Sequence, residues 1–323
     1  MKNIILLSFL FNLPIFAQEI CQYQDNTGKI IIVENIKRVP AKYKKKVVCF
    51  TNQNQLLAKP EDIDLGKAIR SQSISTSLGR MNLRWPRKVE SLFGRTPVRA
   101  LSDAAKTASR YLKIAGFSDA VRNPDINWQV VFMDEDLPES QIPQYLVSNC
   151  HPGWMTPPAN IYIVAQRVVN GCGDKTYKPG YVADADLARV LLHEIGHSIE
   201  FRLLNDRQNP SRGLAEGFAS WFEQESADYS SIIPKGSVKE YYFSLAKKSV
   251  LANPFDFQFQ GSGLDYARAS LFFHIIVKRG SIGHLMDVYN YLNQGINFES
   301  AVEKRMGWNL KRHYEEANKL VQP

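Results

Sequence analysis

The stretch "LLHEIGHSIE", residues 191–200, combines the apolar pattern of a buried helix with three side chains that can carry metal chemistry. His193 and His197 are four positions apart, so on an α-helix both imidazoles lie on one face and can reach the same cation. Glu194 lies about 100° further around the helix, which suits a general base beside that cation. Gly196 costs helix propensity, and we expect its missing side chain to leave room for metal or substrate.

A catalytic zinc site uses three protein ligands and one open position, so two histidines leave the set one ligand short. The next helical segment, "GLAEGFASWFEQE" at 213–225, offers Glu216, with 18 residues between it and His197. A helix glutamate is ordinarily an exposed surface residue, but this spacing favours a ligand. From the residues alone, a buried polar cluster satisfied by hydrogen bonds is the alternative to a metal site.

The pattern HExxH, 18 residues and Glu is similar to that of the gluzincin clan of zinc metallopeptidases. The segment "LAEGFASWFE" resembles the one that aminopeptidase-N-like members carry around their glutamate ligand. This resemblance implies one zinc ion (Zn²⁺) per chain, held by His193, His197 and Glu216, with Glu194 polarising the attacking water. It also implies that Glu223 orients one of the ligands from outside the coordination shell.

A later segment, "GLDYARASLFFHIIVKRG" at 263–280, resembles the helix that follows the metal site in these enzymes. Tyr266 stands where those relatives carry the tyrosine that stabilises the oxyanion, and His274 is the weaker candidate for that role. The Gly-x-Met-Glu-Asn stretch of the aminopeptidases is missing, which favours an endopeptidase. In this clan an edge strand lines the cleft, and "NIYIVAQ" at 160–166 is the expected strand.

The first 17 residues read as a signal peptide, because a lysine is followed by an apolar run and then by Ala17. We therefore expect an exported protein, periplasmic or secreted, and no later stretch long enough to span a membrane. Cys21, Cys49, Cys150 and Cys172 suit an oxidising compartment. Four cysteines allow three pairings, and local pairing of the first two and of the last two is the simplest.

The chain is predicted to be α+β, with a zincin-like domain in which a small mixed sheet precedes a mostly helical half. Residues 18–50 read as a small disulfide-bearing β module and resemble a domain of unknown function near the N-termini of exported bacterial proteins. Residues 51–80 are polar and read as a linker, and residues 81–323 form the metallopeptidase domain. "PVRALSDAAKTASRYLKIAGF" at 97–117 predicts a helix that ends at Gly116, and "INWQVVFM" at 126–133 predicts a strand.

The net charge is +8, to which the run "KYKKK" at 42–46 contributes. Such a run is usually a solvated face, although it could bind an anionic envelope polymer. No nucleic-acid motif is present. The resemblance to the zinc metallopeptidases implies that peptides or proteins are the substrates. Two other functions stay open: hydrolysis of peptidoglycan peptides or glycopeptides on the same scaffold, and a non-catalytic zinc-containing protein that binds an envelope partner. His151 is expected to be a loop residue, and His284 and His313 are expected on helix surfaces.

Overall fold

The chain forms two compact units, Met1–Leu57 and Ala58–Pro323. The computed structural model describes residues 19–24, 30–33, 39–46, 48–51, 60–93, 97–119, 121–122, 126–133, 151–170, 184–207, 211–248 and 262–322. The signal peptide predicted over residues 1–17 lies outside these ranges, as do Cys150 and Cys172. Their predicted roles stay predictions.

The first unit contains a three-stranded antiparallel sheet in the order β2-β1-β3. Its strands are β1 (Glu19–Gln24), β2 (Ile30–Val33) and β3 (Val48–Thr51). The basic run at 42–46 belongs to a 3₁₀ helix, Ala41–Lys46, that precedes β3. The predicted small β module is therefore confirmed. In the register of β1 and β3, Cys21 stands opposite Cys49, while the disulfide between them stays a prediction.

The second unit begins with a five-stranded mixed sheet in the order β4-β5-β6-β8-β7. The strands are β4 (Ile69–Thr76), β5 (Gly79–Pro86), β6 (Asn127–Met133), β7 (Gly153–Thr156) and β8 (Asn160–Val164). The central pairs β5–β6 and β6–β8 are parallel, and the two outer pairs are antiparallel. The strands predicted within 126–133 and 160–166 are both present.

The linker predicted over residues 51–80 does not extend to residue 80, because Ile69–Thr76 is strand β4 at one edge of this sheet. Directly opposite residues of an antiparallel pair point to the same face. Arg70 and Gln72 of β4 therefore share a face with buried Trp85 and Leu83 of β5, yet both are exposed. On this face of β4, Ile74 packs against the core. Because most of β4 is exposed on both faces, its residues do not alternate between apolar and polar, and its sequence resembles a polar linker.

The expectation that "NIYIVAQ" is the edge strand is wrong. Its strand, β8, lies between β6 and β7, and the edge on this side is the short strand β7. Two-sided burial explains the sequence of β8, since residues Ile161, Tyr162, Ile163 and Val164 are all buried.

The described residues of the second unit also form ten α-helices. They are α1 (Arg87–Phe93), α2 (Val98–Ala115), α3 (Ala165–Asn170), α4 (Asp184–Leu203), α5 (Arg212–Ala227), α6 (Ser237–Ala246), α7 (Gly263–Arg279), α8 (Ile282–Asn293), α9 (Phe298–Met306) and α10 (Leu310–Lys319). The predicted helix α2 ends as expected, with Gly116 in the left-handed conformation at φ 83°. A mixed sheet followed by a helical half confirms the α+β class. None of the helices in the described ranges is long and apolar enough to cross a bilayer.

Two glycines allow α4, α5 and α7 to pack closely. A Cβ at Gly196 of α4 would lie 3.0 Å from the Cα of Ala219 on α5. A Cβ at Gly217 of α5 would lie 2.8 Å from the carbonyl oxygen of Ala269 on α7. The space at Gly196 is thus filled by the backbone of α5, and not left for metal or substrate as the sequence suggested. These contacts bring three helices within reach of one site.

His313 is buried, with 0% of its surface exposed, and the prediction of a helix-surface position is wrong. Its Nδ1 lies 3.2 Å from the indole nitrogen of Trp308, which donates, and its Nε2 lies 3.1 Å from the carbonyl oxygen of Phe272. Both ring nitrogens are therefore used when the imidazole is neutral. Burial lowers the pKa of His313 to about 4.

Candidate metal centre

The structure brings together the three predicted ligands, His193 and His197 from α4 and Glu216 from α5. Oε2 of Glu216 lies 3.1 Å from Nε2 of His193 and 3.2 Å from Nε2 of His197. One ligand atom from each residue lies within 4.8 Å of the other two, and all three side chains are partly buried. This group can hold a metal ion. The two imidazole planes are nearly perpendicular, at 84°. Side chains from successive turns of one helix can have this arrangement when they approach the same point.

Glu194 is 3% exposed, and its Oε2 is buried without a hydrogen-bond partner among the described residues. Burial, ahead of the effects of neighbouring charges, raises the pKa of this carboxyl to about 7. The edge strand β7 passes close by, because a Cβ at Gly153 would lie 3.1 Å from Oε1 of Glu194. A carboxylate with one oxygen that has no hydrogen-bond partner in the described part of the chain, next to three converging ligands, is suited to accept a proton from a bound water.

Glu223 lies two turns after Glu216 on α5 and contacts His193 from outside the group of three ligands. Its Oε2 is 3.5 Å from Nδ1 of His193 and accepts a hydrogen bond of 2.8 Å from the hydroxyl of Tyr242. Its Oε1 accepts a bond of 3.1 Å from Nε of Arg189. Burial opposes the charge of this carboxylate, but Arg189 and His193 hold the pKa of Glu223 below its usual value.

These contacts give His193 two different partners, with Nε2 towards Glu216 and Nδ1 towards Glu223. A carboxylate that contacts Nδ1 fixes the orientation of the imidazole ring, so that Nε2 points towards the other two ligand side chains. Burial disfavours charge on the imidazole, yet hydrogen bonds from the two glutamates raise the pKa of His193 to about 10. For Glu216, burial is outweighed by His197 and His193, which hold its pKa well below the usual range. The group thus favours a positive charge at its centre.

Tyr266 on α7 lies beside this group, with its ring 5.7 Å from that of His193. Its hydroxyl oxygen is 3.2 Å from Nδ1 of His151. Burial raises the pKa of Tyr266 well above its usual range, so the phenol keeps its proton. The weaker candidate, His274, contacts Gln224 through Nε2 and Glu225 through Nδ1. Those two contacts do not involve the three ligand residues.

The sequence reading missed His151 and Arg212. His151 lies two residues before the edge strand β7 and contacts both Tyr266 and Nη2 of Arg212, the latter at 3.1 Å. The Nε atom of Arg212 lies 3.6 Å from Oε1 of Glu216, four residues later on the same helix. The i,i+4 spacing could have indicated this arginine. No local pattern indicated His151, because its contacts are far away in the sequence.

No family model matches the sequence, and no curated protein matches it. Among solved structures, the chain is similar to an aminopeptidase N family protein from Idiomarina loihiensis. The identity is 8%, the TM-score is 0.42, and the match covers 94% of this chain and 53% of that one. The chain therefore spans about half the length of this distant neighbour.

Proposed function

We propose that this protein is an exported zinc-dependent metallopeptidase of the gluzincin type, acting on peptides or proteins. The observation that carries the proposal is the convergence of His193, His197 and Glu216 within 4.8 Å, next to a carboxylate oxygen of Glu194 that has no hydrogen-bond partner in the ranges that the structure describes. The signal-like N-terminus supports export.

The donor set fits zinc. Two imidazoles and one carboxylate are a known protein ligand set for catalytic zinc, which leaves a fourth position for water. A structural zinc site is usually closed by a fourth protein ligand. Imidazole and carboxylate also accept other divalent ions, so metal content decides the identity. The proposal is one zinc ion per chain.

A bound zinc ion would acidify water and polarise the scissile carbonyl. Glu194 accepts the proton of the attacking water and returns it to the leaving amine, for which its buried, unpartnered Oε2 is suited. The hydroxyl of Tyr266 donates to the oxyanion that forms at the carbonyl. Glu223 keeps His193 in the orientation that presents Nε2.

An endopeptidase is the better fit. The chain lacks the Gly-x-Met-Glu-Asn stretch that captures a substrate's free amine in the aminopeptidases. Strand β7 is at the sheet edge and passes beside Glu194, so an extended peptide that adds to this edge would run past the base.

The test is hydrolysis of a quenched mixed-peptide library by the purified protein, with zinc measured by elemental analysis. We expect Glu194→Gln to keep one zinc and to lose about 10²–10⁴-fold in hydrolysis rate, the usual contribution of a general base. Glu216→Gln should lose both zinc and hydrolysis, because it replaces an ionised ligand. Glu225→Gln, on the same helix but outside the ligand group, is the matched control and should retain both.

Two results would overturn the proposal. Zinc bound equally by wild type, Glu194→Gln and Glu216→Gln would place the metal elsewhere. Zinc bound as expected but without hydrolysis of the peptide library by wild type would remove the peptidase assignment and favour the non-catalytic binding function.

A further inference from the structure

His151, Tyr266 and Arg212 form a connected hydrogen-bonding group at the rim of the ligand group. The Nδ1 atom of His151 lies 3.2 Å from the Tyr266 hydroxyl, and its Nε2 lies 3.1 Å from Nη2 of Arg212. The guanidinium also hydrogen-bonds the Tyr266 hydroxyl and lies 3.6 Å from Oε1 of Glu216. One arginine is therefore linked to a predicted ligand and to the predicted oxyanion donor.

The chemistry of these groups determines the direction of each hydrogen bond. A guanidinium carries donors and no acceptor, so Nε2 of His151 must be the acceptor in its contact with Arg212. A neutral imidazole with an acceptor at Nε2 carries its proton at Nδ1. That proton is donated to the oxygen of Tyr266. The reverse arrangement, with Tyr266 donating to Nδ1, would leave both ring nitrogens without a proton, which is not a stable imidazole at neutral pH.

A protonated His151 would place a second cation against Arg212. Burial, together with the charge of Arg212, lowers the pKa of His151, which agrees with the neutral ring. The oxygen of Tyr266 thus accepts from His151 and from Arg212, and the phenol hydrogen is directed away from both. Accepting hydrogen bonds polarises the O–H group and makes it a stronger donor.

We propose that His151 and Arg212 are positioning residues that orient the Tyr266 hydroxyl, so that its hydrogen is donated into the metal centre. Arg212 selects the Nδ1–H tautomer of His151. The Nδ1–H group of His151 in turn donates to the hydroxyl oxygen of Tyr266. For catalysis this rests on the proposed function, in which Tyr266 stabilises the oxyanion. The hydrogen-bond direction itself does not depend on that function.

The direction can be read without any activity. In the wild-type protein labelled with ¹⁵N-histidine, the nitrogen shifts of His151 should show the Nδ1–H tautomer, with the signal assigned by its loss in His151→Asn. Arg212→Met cannot donate, so the ring of His151 should change towards the Nε2–H tautomer. An Nε2–H tautomer in the wild type, or no response to Arg212→Met, would refute the proposal.

The catalytic consequence is tested on the same peptide library, with zinc content measured for each variant. Tyr266→Phe should lower kcat by about 10²–10³-fold, as removal of one oxyanion donor does. His151→Leu should lower kcat about tenfold with KM little changed, in the range seen for outer-shell partners. His151→Asn places an amide N–H where Nδ1–H lies, and should recover most of the rate.

A double-mutant cycle separates positioning from a general structural effect. If His151 acts through Tyr266, His151→Leu should have almost no further effect on kcat in the Tyr266→Phe protein. Equal losses in both backgrounds, or an Asn variant as poor as Leu, would refute the positioning role. If the wild type shows the Nδ1–H tautomer but cleaves no peptide, the proposed function fails while the hydrogen-bond direction stands.

Discussion

The helix pair α4–α5 and the hairpin β4–β5 differ in how much of their structure is visible in the sequence. On α4 and α5, ligand candidates repeat at helical spacing within apolar segments, and the structure places these residues together. On the hairpin, β5 alternates buried Met81, Leu83 and Trp85 with outward residues, whereas β4 shows no such pattern. The two strands form eight residue pairs, yet the alternation is present in β5 and missing from β4, which was predicted to be part of a linker.

This difference has a simple cause. The apolar pattern of a sequence indicates which side chains are buried. It therefore indicates a strand only when at least one face of that strand is packed against the core. Helices α4 and α5 are buried against each other and against α2 and α7, so their composition reflects packing. At the sheet edge the burial of side chains decreases from β5 to β4. Hydrogen bonding between the backbones of the two strands does not by itself select particular residue types.

The largest effect is expected at the covered strand of the hairpin. Leu83→Ala should reduce the free energy of unfolding by about 2–5 kcal/mol, because it opens a cavity under a residue that is 1% exposed. Chemical denaturation measures the change. Leu83→Met, which nearly conserves volume, is the control and should lose less than about 1.5 kcal/mol. Equal losses of unfolding free energy for the two variants would mean that stability does not depend on side-chain volume at this site, which contradicts the cavity argument.

On the helical side, acid should destabilise the protein through His313. The unfolded chain binds a proton at this histidine below pH about 6.5, while the folded protein does so only below about 4. Stability therefore falls as the pH is lowered through this window, by about 3 kcal/mol from this group. We expect His313→Gln to show a flatter pH dependence of unfolding between pH 6.5 and 4. A pH dependence of His313→Gln equal to that of wild type would contradict the burial argument.

The close contact of α5 with α7 predicts a smaller loss. Gly217→Ala would place a Cβ 2.8 Å from a backbone oxygen, so one helix must move, at about 1–3 kcal/mol despite the better helix propensity of alanine. The shift would also displace Tyr266, one turn from the contact. Gly283→Ala on α8 meets only the hydroxyl of Ser281, at 3.2 Å, and should leave the melting temperature unchanged or slightly higher. A neutral Gly217→Ala would show that these helices adapt without strain.

The smallest effect should come from the uncovered strand. Gln72 is paired with Leu83 and points to the same face, but it is exposed. Gln72→Ala should change the free energy of unfolding by no more than about 0.5 kcal/mol, as surface substitutions usually do. A loss close to that of Leu83→Ala would show that something covers β4 in solution and would end the contrast between the two strands.

The same division applies to the site. Helical periodicity predicted that His193 and His197 share one face, because it converts sequence distance into direction. Glu216 came from its spacing to this histidine pair, on the next helix. Tyr266 came from resemblance to a family segment, and the structure brings it beside His193. His151 could not be found in this way, since 115 residues separate it from Tyr266. The edge strand was misplaced for a related reason, because strand order in a sheet follows from packing and not from any one segment.

What the sequence determined by itself is local: the two-histidine helix, the glutamate on the next helix, the helix end at Gly116 and the strands within 126–133 and 160–166. The helix and the strands follow from periodicities of a few residues, the helix end from a glycine, and the glutamate from its spacing to the histidine pair. The tertiary structure alone decided which strand is at the edge, which backbone occupies the space at Gly196, and which residues surround the Tyr266 hydroxyl. Those features depend on contacts between distant segments, which form only when the whole domain packs.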